Sequence, residues 1–176
     1  MDCIQGDYDR AITDASEAIR LDPKDARAYR TRGEAYYRKY VFDRAIADLS
    51  EALRLDPKNA RAYCTRGEAY DLKHEFDRAI ADLSEALRLD PRYARAYGTR
   101  GDVYRRKGEY DRAIADASEA LRLDPQLAPA YFTRGEAYRR QGDFDRAIAN
   151  LTEAVRLAPG DGWAEQQLEM AKRGQR

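Results

Sequence analysis

The stretch LDPKNARAYCTRGEAYDLKHEFDRAIADLSEALRLDP, residues 55–91, begins and ends with the same phrase, Leu-Asp-Pro, and its two prolines are 34 residues apart. The same spacing runs through the whole chain, at Pro23, Pro57, Pro91, Pro125 and Pro159. A fixed period of this length is typical of stacked structural repeats, in which each unit buries its apolar face against its neighbours. The period therefore predicts an array of repeats.

Aligned on the prolines, the chain forms a single array with four full repeats, at 26–59, 60–93, 94–127 and 128–161. Residues 1–25 are expected to supply only the second helix of a partial repeat, over about residues 7–21. Residues 162–176 have the pattern of a C-terminal capping helix. The N-terminal helix would lack one covering neighbour, which indicates either a truncated longer array or end-to-end association between chains.

Each full repeat contains two amphipathic helical patterns. In the second repeat they cover residues 60–73 and 77–89, with small and apolar residues at spacings of three and four. Proline follows the second pattern and ends it, because proline has no amide hydrogen to donate. Asp25, Asn59 and Asp161 stand where a side chain can cap the next helix.

The turn inside each repeat differs between the two halves of the chain. Gly108 and Gly142 close the first helix in repeats three and four, whereas Tyr40 and His74 occupy that position in repeats one and two. A non-glycine residue in the left-handed conformation costs roughly 1 kcal/mol. We therefore expect the turns at Tyr40 and His74 to be strained or remodelled.

A recurring set of aromatic and small residues resembles the tetratricopeptide repeat, a 34-residue helix-turn-helix unit. In the first repeat this set is Tyr29, Gly33, Tyr36, Ala45, Leu49, Ala52 and Pro57. The resemblance implies an all-α fold, a right-handed superhelix of antiparallel helix pairs whose first helices line a concave groove. It also implies a protein-protein interaction scaffold that holds a segment of a partner protein in that groove.

One departure from the family pattern recurs in every repeat. Arginine replaces the leucine expected before the glycine, at Arg32, Arg66, Arg100 and Arg134. We favour a structural role, with the aliphatic stem packed between helices and the guanidinium paired to an acid of the second helix. The candidate partners are Asp48, Asp82 and Asp116, with Asn150 in the last repeat. A ligand-binding role for these arginines stays open.

A helical wheel identifies the first-helix residues that face away from the packed stripe. These candidate groove residues are Arg27, Arg30, Glu34, Tyr37, Arg38, Arg61, Cys64, Glu68, Asp71, Arg95, Gly98, Asp102, Arg105, Phe132, Glu136 and Arg139. Phe132 could anchor a guest side chain, or it could pack against Arg95 or the C-terminal helix. Cys64 is more typical of a small space-filling residue than of a nucleophile.

Charge separates by helix although 32 basic residues balance 32 acidic ones. The first-helix stretches sum to +11, and the second-helix and loop stretches of the four repeats sum to −8. An acidic segment or a C-terminal carboxylate is the guest that a basic groove favours. The alternative is a solvated face of ion pairs, each of small energetic value.

The asparagine of the family's carboxylate clamp is replaced by an acid in every repeat, so we do not expect that clamp.

Other classes of function find little support in the residues. The single histidine, His74, stands in a turn, so we expect no metal site, cofactor or enzymatic activity. No apolar run is long enough to span a bilayer and no secretory leader is evident, so we expect a cytoplasmic protein that does not bind membranes. A self-assembling structural array is the main alternative, and binding of nucleic acid ranks below both.

Overall fold

The protein is described by a computed structural model that covers residues 2–174, with side chains from residue 7 onward. The described residues form ten α-helices and no strands. Their bounds are α1 Asp2–Leu21, α2 Ala26–Arg38, α3 Phe42–Leu55, α4 Ala60–Leu72, α5 Phe76–Leu89, α6 Ala94–Arg106, α7 Tyr110–Leu123, α8 Ala128–Arg140, α9 Phe144–Leu157 and α10 Gly162–Gly174. The predicted all-α fold class is confirmed.

The chain divides into two compact units, Met1–Pro91 and Arg92–Arg176. In unit 1, α2 pairs with α3 and α4 pairs with α5, while α1 packs against α2. In unit 2, α6 pairs with α7 and α8 pairs with α9, while α10 packs against α9. Both units are therefore built from antiparallel helix pairs with one additional helix at one end. The grouping of all the repeats into a single array stays a prediction.

Each pair is held together by a close crossing at a glycine. A Cβ atom added to Gly67 would lie 2.9 Å from Cγ of Leu83 and 3.2 Å from the carbonyl oxygen of Ala79. Leu83 and Ala79 are fully buried in α5. Any larger residue at position 67 would push the two helices apart, so glycine is required by packing.

A recurring arginine ties each crossing to the helices on either side. In unit 1, Arg66 donates from Nε and Nη2 to the carboxylate of Asp82 at 2.7 and 2.8 Å, and from Nη1 to Oγ of Ser50 at 3.0 Å. Asp82 belongs to the paired helix α5, and Ser50 belongs to the preceding second helix, α3. The structural role predicted for this arginine is confirmed.

The same bridge is found with an amide in place of the acid. In unit 2, Arg134 donates to Oδ1 of Asn150 at 2.8 Å and to Oγ of Ser118 at 3.1 Å.

Burial alone would lower the pKa of Arg66, but the hydrogen bond and the charge of Asp82 outweigh it and raise that pKa above its usual value. The partners of Arg66 therefore favour the charged form of its guanidinium.

The turns inside the repeats share one backbone geometry. Gly108 and Gly142 both have φ of 80°, and Tyr40 and His74 have φ of 60° and 61°. Both non-glycine residues therefore adopt the conformation from which strain is expected, and the strain itself stays a prediction. The turns are not remodelled, because Tyr40 and His74 adopt the left-handed conformation that glycine adopts elsewhere.

Helix starts and ends agree closely with the sequence patterns. Asp25, Asn59 and Asp161 accept hydrogen bonds from amides of the next helix, as predicted. Helix α1 begins at Asp2, earlier than the predicted residue 7. Helix α10 buries Ala164 and Ala171 and exposes its acidic residues, which is the arrangement expected of a cap.

Replacing Tyr40 or His74 by glycine should raise the free energy of unfolding by up to about 1 kcal/mol, because the left-handed strain is removed. Replacing Gly108 or Gly142 by alanine should lower it by a similar amount. No atom lies within 4 Å of a Cβ built at either glycine, so this loss isolates the backbone term. Urea denaturation measures all four variants, and a less stable Tyr40→Gly protein would contradict the assignment of strain.

Truncating Asp82 to alanine should cost about 3 kcal/mol of stability, because the guanidinium of Arg66 would then lie partly buried without its carboxylate. Asp82→Asn should cost less, since Asn150 shows that an amide oxygen can accept the same bond. Thermal and chemical denaturation give both values. Equal losses for the two variants would show that the carboxylate charge, and not the acceptor atom, is what the crossing requires.

Candidate peptide-binding face of the first helices

In unit 1 the predicted groove residues of α2 and α4 form an ion-pair cluster. Glu34 accepts hydrogen bonds from Nη1 of Arg30 at 2.7 Å and from Nη2 of Arg61 at 2.9 Å. Arg27 and Arg61 are exposed. Arg30 and Arg61 of this face therefore form ion pairs with an acid of the same face. This agrees with the alternative interpretation, in which these positions form ion pairs with one another.

A cleft of about 500 Å³ opens beside this cluster. Arg38 projects at its edge, with its guanidinium 5.9 Å from the ring centre of Tyr37. Tyr37 is partly buried, and its ring centre lies 6.3 Å from that of Phe42. The cleft is lined by Tyr8, Ala11, Thr31, Glu34, Ala35, Arg38 and Arg61.

Several predicted groove residues are buried, which differs from the expectation that they face a ligand. They are Cys64, Glu68 and Asp71 in α4, Gly98 in α6 and Glu136 in α8. The helical wheel places a residue relative to its own second helix only, and it takes no account of neighbouring first helices or loops. At Gly98, for example, an added Cβ would lie 3.2 Å from Cδ2 of Leu127. These five positions are poorly placed to contact a guest.

Phe132 also packs inside its unit. Its ring is partly buried against a core cluster that contains Leu151 and Ala171, and the guanidinium of Arg105 lies 5.6 Å from the ring centre. Ala171 belongs to α10, so the structure favours packing against the C-terminal helix over a role as an exposed anchor.

Glu136 is the most enclosed of the predicted acidic residues, with 3% of its side chain exposed. It accepts hydrogen bonds from Arg139 at 2.8 Å and from Arg140 at 2.9 Å. Burial alone would raise the pKa of Glu136, but the two guanidinium groups outweigh it and hold that pKa below its usual value of 4.5. Glu136 thus fixes the direction of two arginines at the end of α8.

A strongly basic cleft of about 320 Å³ lies where α6 and α8 end in unit 2. Arg105 is held there by Asp102 at 2.8 Å, and Lys107 lies 3.4 Å from Glu109. Of the described residues, none that lines this cleft is acidic. The lining residues are Arg105, Arg106, Lys107, Gly108, Tyr110 and Arg140.

Sequence reasoning placed Arg105 in the groove but did not include Lys107 or Tyr110. The run Arg105-Arg106-Lys107 is a visible signal, because it puts three consecutive cations at the last turn of a first helix. Arg95, the other predicted cation of α6, is exposed. Helix ends bring cations together here because the carbonyl end of a helix favours positive charge.

Neither a metal site nor a membrane span is found in the part of the chain that the structure describes. Its residues contain no group of three or more histidine, cysteine or acidic side chains placed to hold a metal ion. None of the described helices is both long enough and apolar enough to cross a bilayer.

Family models match most of the chain. A model described as TPR repeat matches residues 1–39, 42–73 and 101–142, and models described as tetratricopeptide repeat match residues 60–93, 83–115 and 128–161. The chain belongs to the tetratricopeptide repeat family. Members of this family are protein-protein interaction scaffolds, so that general function is the one the fold supports.

Solved structures of this family resemble the chain over nearly its whole length. A crystal structure of MamA is 30% identical, with a TM-score of 0.78, and the match covers 89% of this chain and 95% of MamA. TTC0263, a tetratricopeptide protein of Thermus thermophilus, is 26% identical with a TM-score of 0.73, covering 96% of this chain and 92% of its own. Curated protein sequences gave no significant match.

A third structure shares the fold at lower identity. YrrB, described as a tetratricopeptide protein with an unusual peptide-binding site, is 23% identical with a TM-score of 0.74, and the match covers 92% of this chain and 83% of YrrB. At that identity the likeness concerns the fold alone.

Glu136→Gln should destabilise the protein by about 2 kcal/mol at pH 7, because the three charge-assisted hydrogen bonds from Arg139 and Arg140 lose their anionic acceptor. Since the pKa of Glu136 is lowered on folding, its contribution is present above about pH 4.5 and is lost as the pH falls through the folded-state value. The difference between the wild type and the variant should therefore shrink below pH 4.5. Urea titrations between about pH 3 and pH 7 measure it.

Glu165→Gln serves as the control for that experiment, because Glu165 is exposed on α10. Its effect on stability should be small throughout the same pH range. A Glu136→Gln effect that stays constant down to about pH 3 would contradict the assignment.

Proposed function

We propose that this chain binds an acidic or carboxylate-terminated segment of a partner protein on its basic first-helix side chains. The observation that carries the proposal is the cleft of about 320 Å³ in unit 2, whose charged lining consists of Arg105, Arg106, Lys107 and Arg140. A cleft of this size accommodates one or two side chains of an extended peptide.

The cleft offers the donor geometry that carboxylates favour. A guanidinium has five N–H donors in a planar fork, and Arg105 directs Nε and Nη2 toward Asp102. The Arg105 side chain is 18% exposed, and we expect an acid on a partner to reach it from that side. Arg140 keeps 54% of its side chain exposed while it contacts Glu136, so it can engage a second oxygen at the cleft edge.

The surrounding acids limit which anions can bind. Asp102, Glu109 and Glu136 already contact the cations of this region, so an incoming anion must compete with them. A short acidic segment can do so at one point, whereas a continuous phosphate backbone would meet these acids along its length. The balanced total charge also removes the long-range attraction that a nucleic acid requires.

Isothermal titration calorimetry with a glutamate-rich peptide of about 12 residues tests the proposal. Binding should weaken at least tenfold when salt is raised from about 50 to about 300 mM, because exposed charge pairs are screened. The same peptide with glutamine in place of glutamate should bind at least tenfold more weakly. A comparison of free and amidated C-termini shows whether the terminal carboxylate is recognised separately.

Two matched variants locate the contact. Arg106→Gln with Lys107→Gln should weaken binding of the acidic peptide at least tenfold. Lys24→Gln with Lys58→Gln changes the net charge equally at exposed loop positions and should change the affinity less than twofold. Equal losses would mean that only the overall charge matters, and absence of binding by the wild type would reject the proposed function.

A further inference from the structure

Three exposed apolar side chains lie at one edge of unit 1. Tyr40 is 77% exposed, Leu72 is 42% exposed and Val41 is 38% exposed. Tyr40 and Val41 belong to the turn between α2 and α3, and Leu72 is the last residue of α4. We call these three residues the apolar patch of unit 1. Single exposed apolar residues are common on proteins, but a group of them with charged neighbours is typical of an interaction surface.

The 34-residue period places the patch residues together. In unit 2, Gly108, Tyr110 and Arg140 line the basic cleft. The residues two periods earlier are Tyr40, Phe42 and Leu72. The two turns also share their backbone conformation, since φ is 60° at Tyr40 and 80° at Gly108. The edge that is basic in unit 2 is therefore aromatic and aliphatic in unit 1.

The ring of Tyr40 is held in place by a neighbouring ring. The ring centre of Phe42 lies 6.0 Å from that of Tyr40, with an angle of 80° between the planes, and 6.3 Å from that of Tyr37. Edge-to-face pairs of this kind are favourable and directional. The ring of Tyr40 therefore has a defined position although most of it is exposed to solvent.

The backbone of Tyr40 indicates a role for its ring outside the folded unit. At φ of 60° we expect a cost of roughly 1 kcal/mol for tyrosine that glycine would avoid. The ring contacts Phe42 but stays 77% exposed, so packing within the unit recovers little of that cost. Residues in such conformations cluster at functional sites, and aromatic side chains are common anchors of partners.

Arg38 adds a positive charge beside the patch. It is exposed, its guanidinium lies 5.9 Å from the ring centre of Tyr37, and its counterpart Arg106 lines the basic cleft of unit 2. Lys39 and Lys73 are each paired with an aspartate of the preceding second helix. Arg38, in contrast, forms no ion pair with the residues that the structure describes. An acid on an incoming molecule is the complement that this guanidinium favours.

We propose that the apolar patch of unit 1 binds a segment of a partner protein that carries a large apolar side chain next to acidic residues. The apolar side chain lies on Tyr40 and Leu72, and an acid pairs with Arg38. A peptide supplies both groups within two or three residues. This site is separate from the basic cleft of unit 2 and does not rest on the function proposed for that cleft.

Two other occupants fit the surface less well. The side chain of Asp43, beside the patch, is 86% exposed, and a bilayer surface would cover this carboxylate at a cost that a short segment avoids. In a second copy of the chain, Leu21 is exposed and precedes Asp22. The carboxylate of Asp22 already accepts a hydrogen bond from the amide of Lys24 at 2.9 Å.

Fluorescence anisotropy with three labelled peptides tests the proposal. The peptide GSEFEESG carries a ring and acids, GSEAEESG lacks the ring, and GSQFQQSG lacks the acids. The full chain with Arg106→Gln and Lys107→Gln is used throughout, so that the basic cleft of unit 2 contributes little. GSEFEESG should bind at least tenfold more tightly than either of the other peptides. Equal affinity for GSEFEESG and GSEAEESG would overturn the proposal.

Variants of the patch locate the apolar contact. Leu72→Arg should weaken binding of GSEFEESG at least tenfold without loss of stability, because the other three repeats have arginine at this position. Tyr40→Gly should also weaken binding, although we expect it to stabilise the fold. Met170→Arg is the matched control, since Met170 is 44% exposed, and it should change the affinity less than twofold. Equal effects of Leu72→Arg and Met170→Arg would overturn the proposal.

A further pair of variants tests the acidic contact. Arg38→Gln should reduce the affinity for GSEFEESG to that for GSQFQQSG. Lys58→Gln removes the same charge at an exposed loop position and should change the affinity less than twofold. If Arg38→Gln has no larger effect than Lys58→Gln, the acid is not recognised at this site and the proposal is wrong.

Experiments without peptide test the competing occupants. The chain alone should sediment as a monomer up to about 100 µM, and it should not sediment with vesicles that contain phosphatidylserine. A dimer that Leu72→Arg dissociates would overturn the proposal in favour of a second copy of the chain. Vesicle binding that Leu72→Arg abolishes would overturn it in favour of a membrane surface.

Discussion

The bond between the first-helix arginine and its two partners is the interaction on which the rest of the structure depends. Arg66 joins Asp82 on its paired helix to Ser50 on the preceding second helix. One side chain therefore fixes both the crossing inside a repeat and the step to the previous repeat. A leucine at this position could fill the same space but could not specify the register through hydrogen bonds.

The same constraint explains which parts of the structure the sequence could predict. Period, helix pairs, caps and the arginine partners follow from local patterns, because each depends on residues within one repeat or its neighbour. The strained turns at Tyr40 and His74 could also be predicted, since only one backbone conformation closes the first helix there. These features are the ones for which sequence spacing and spatial spacing coincide.

The candidate site was less predictable for a physical reason. Burial of Cys64 and Glu68 depends on what covers α4 from outside its own helix pair, and a single-helix wheel contains no such information. The direction of Arg139 and Arg140 depends on the buried carboxylate of Glu136, an acid that the sequence places on the same face without revealing its depth. Contacts to a ligand depend on such side-chain directions, so they are the last features that a repeat pattern can specify.

The two strained turns have a consequence for where the chain opens. Both Tyr40 and His74 lie in unit 1, whereas the corresponding turns of unit 2 have glycine. Repeats are coupled mainly to their neighbours. The free energy of a strained turn therefore lowers the cost of opening its own repeat more than that of distant repeats. We therefore expect the helix pairs α2–α3 and α4–α5, which contain these turns, to open at a lower free-energy cost than α6–α7 and α8–α9.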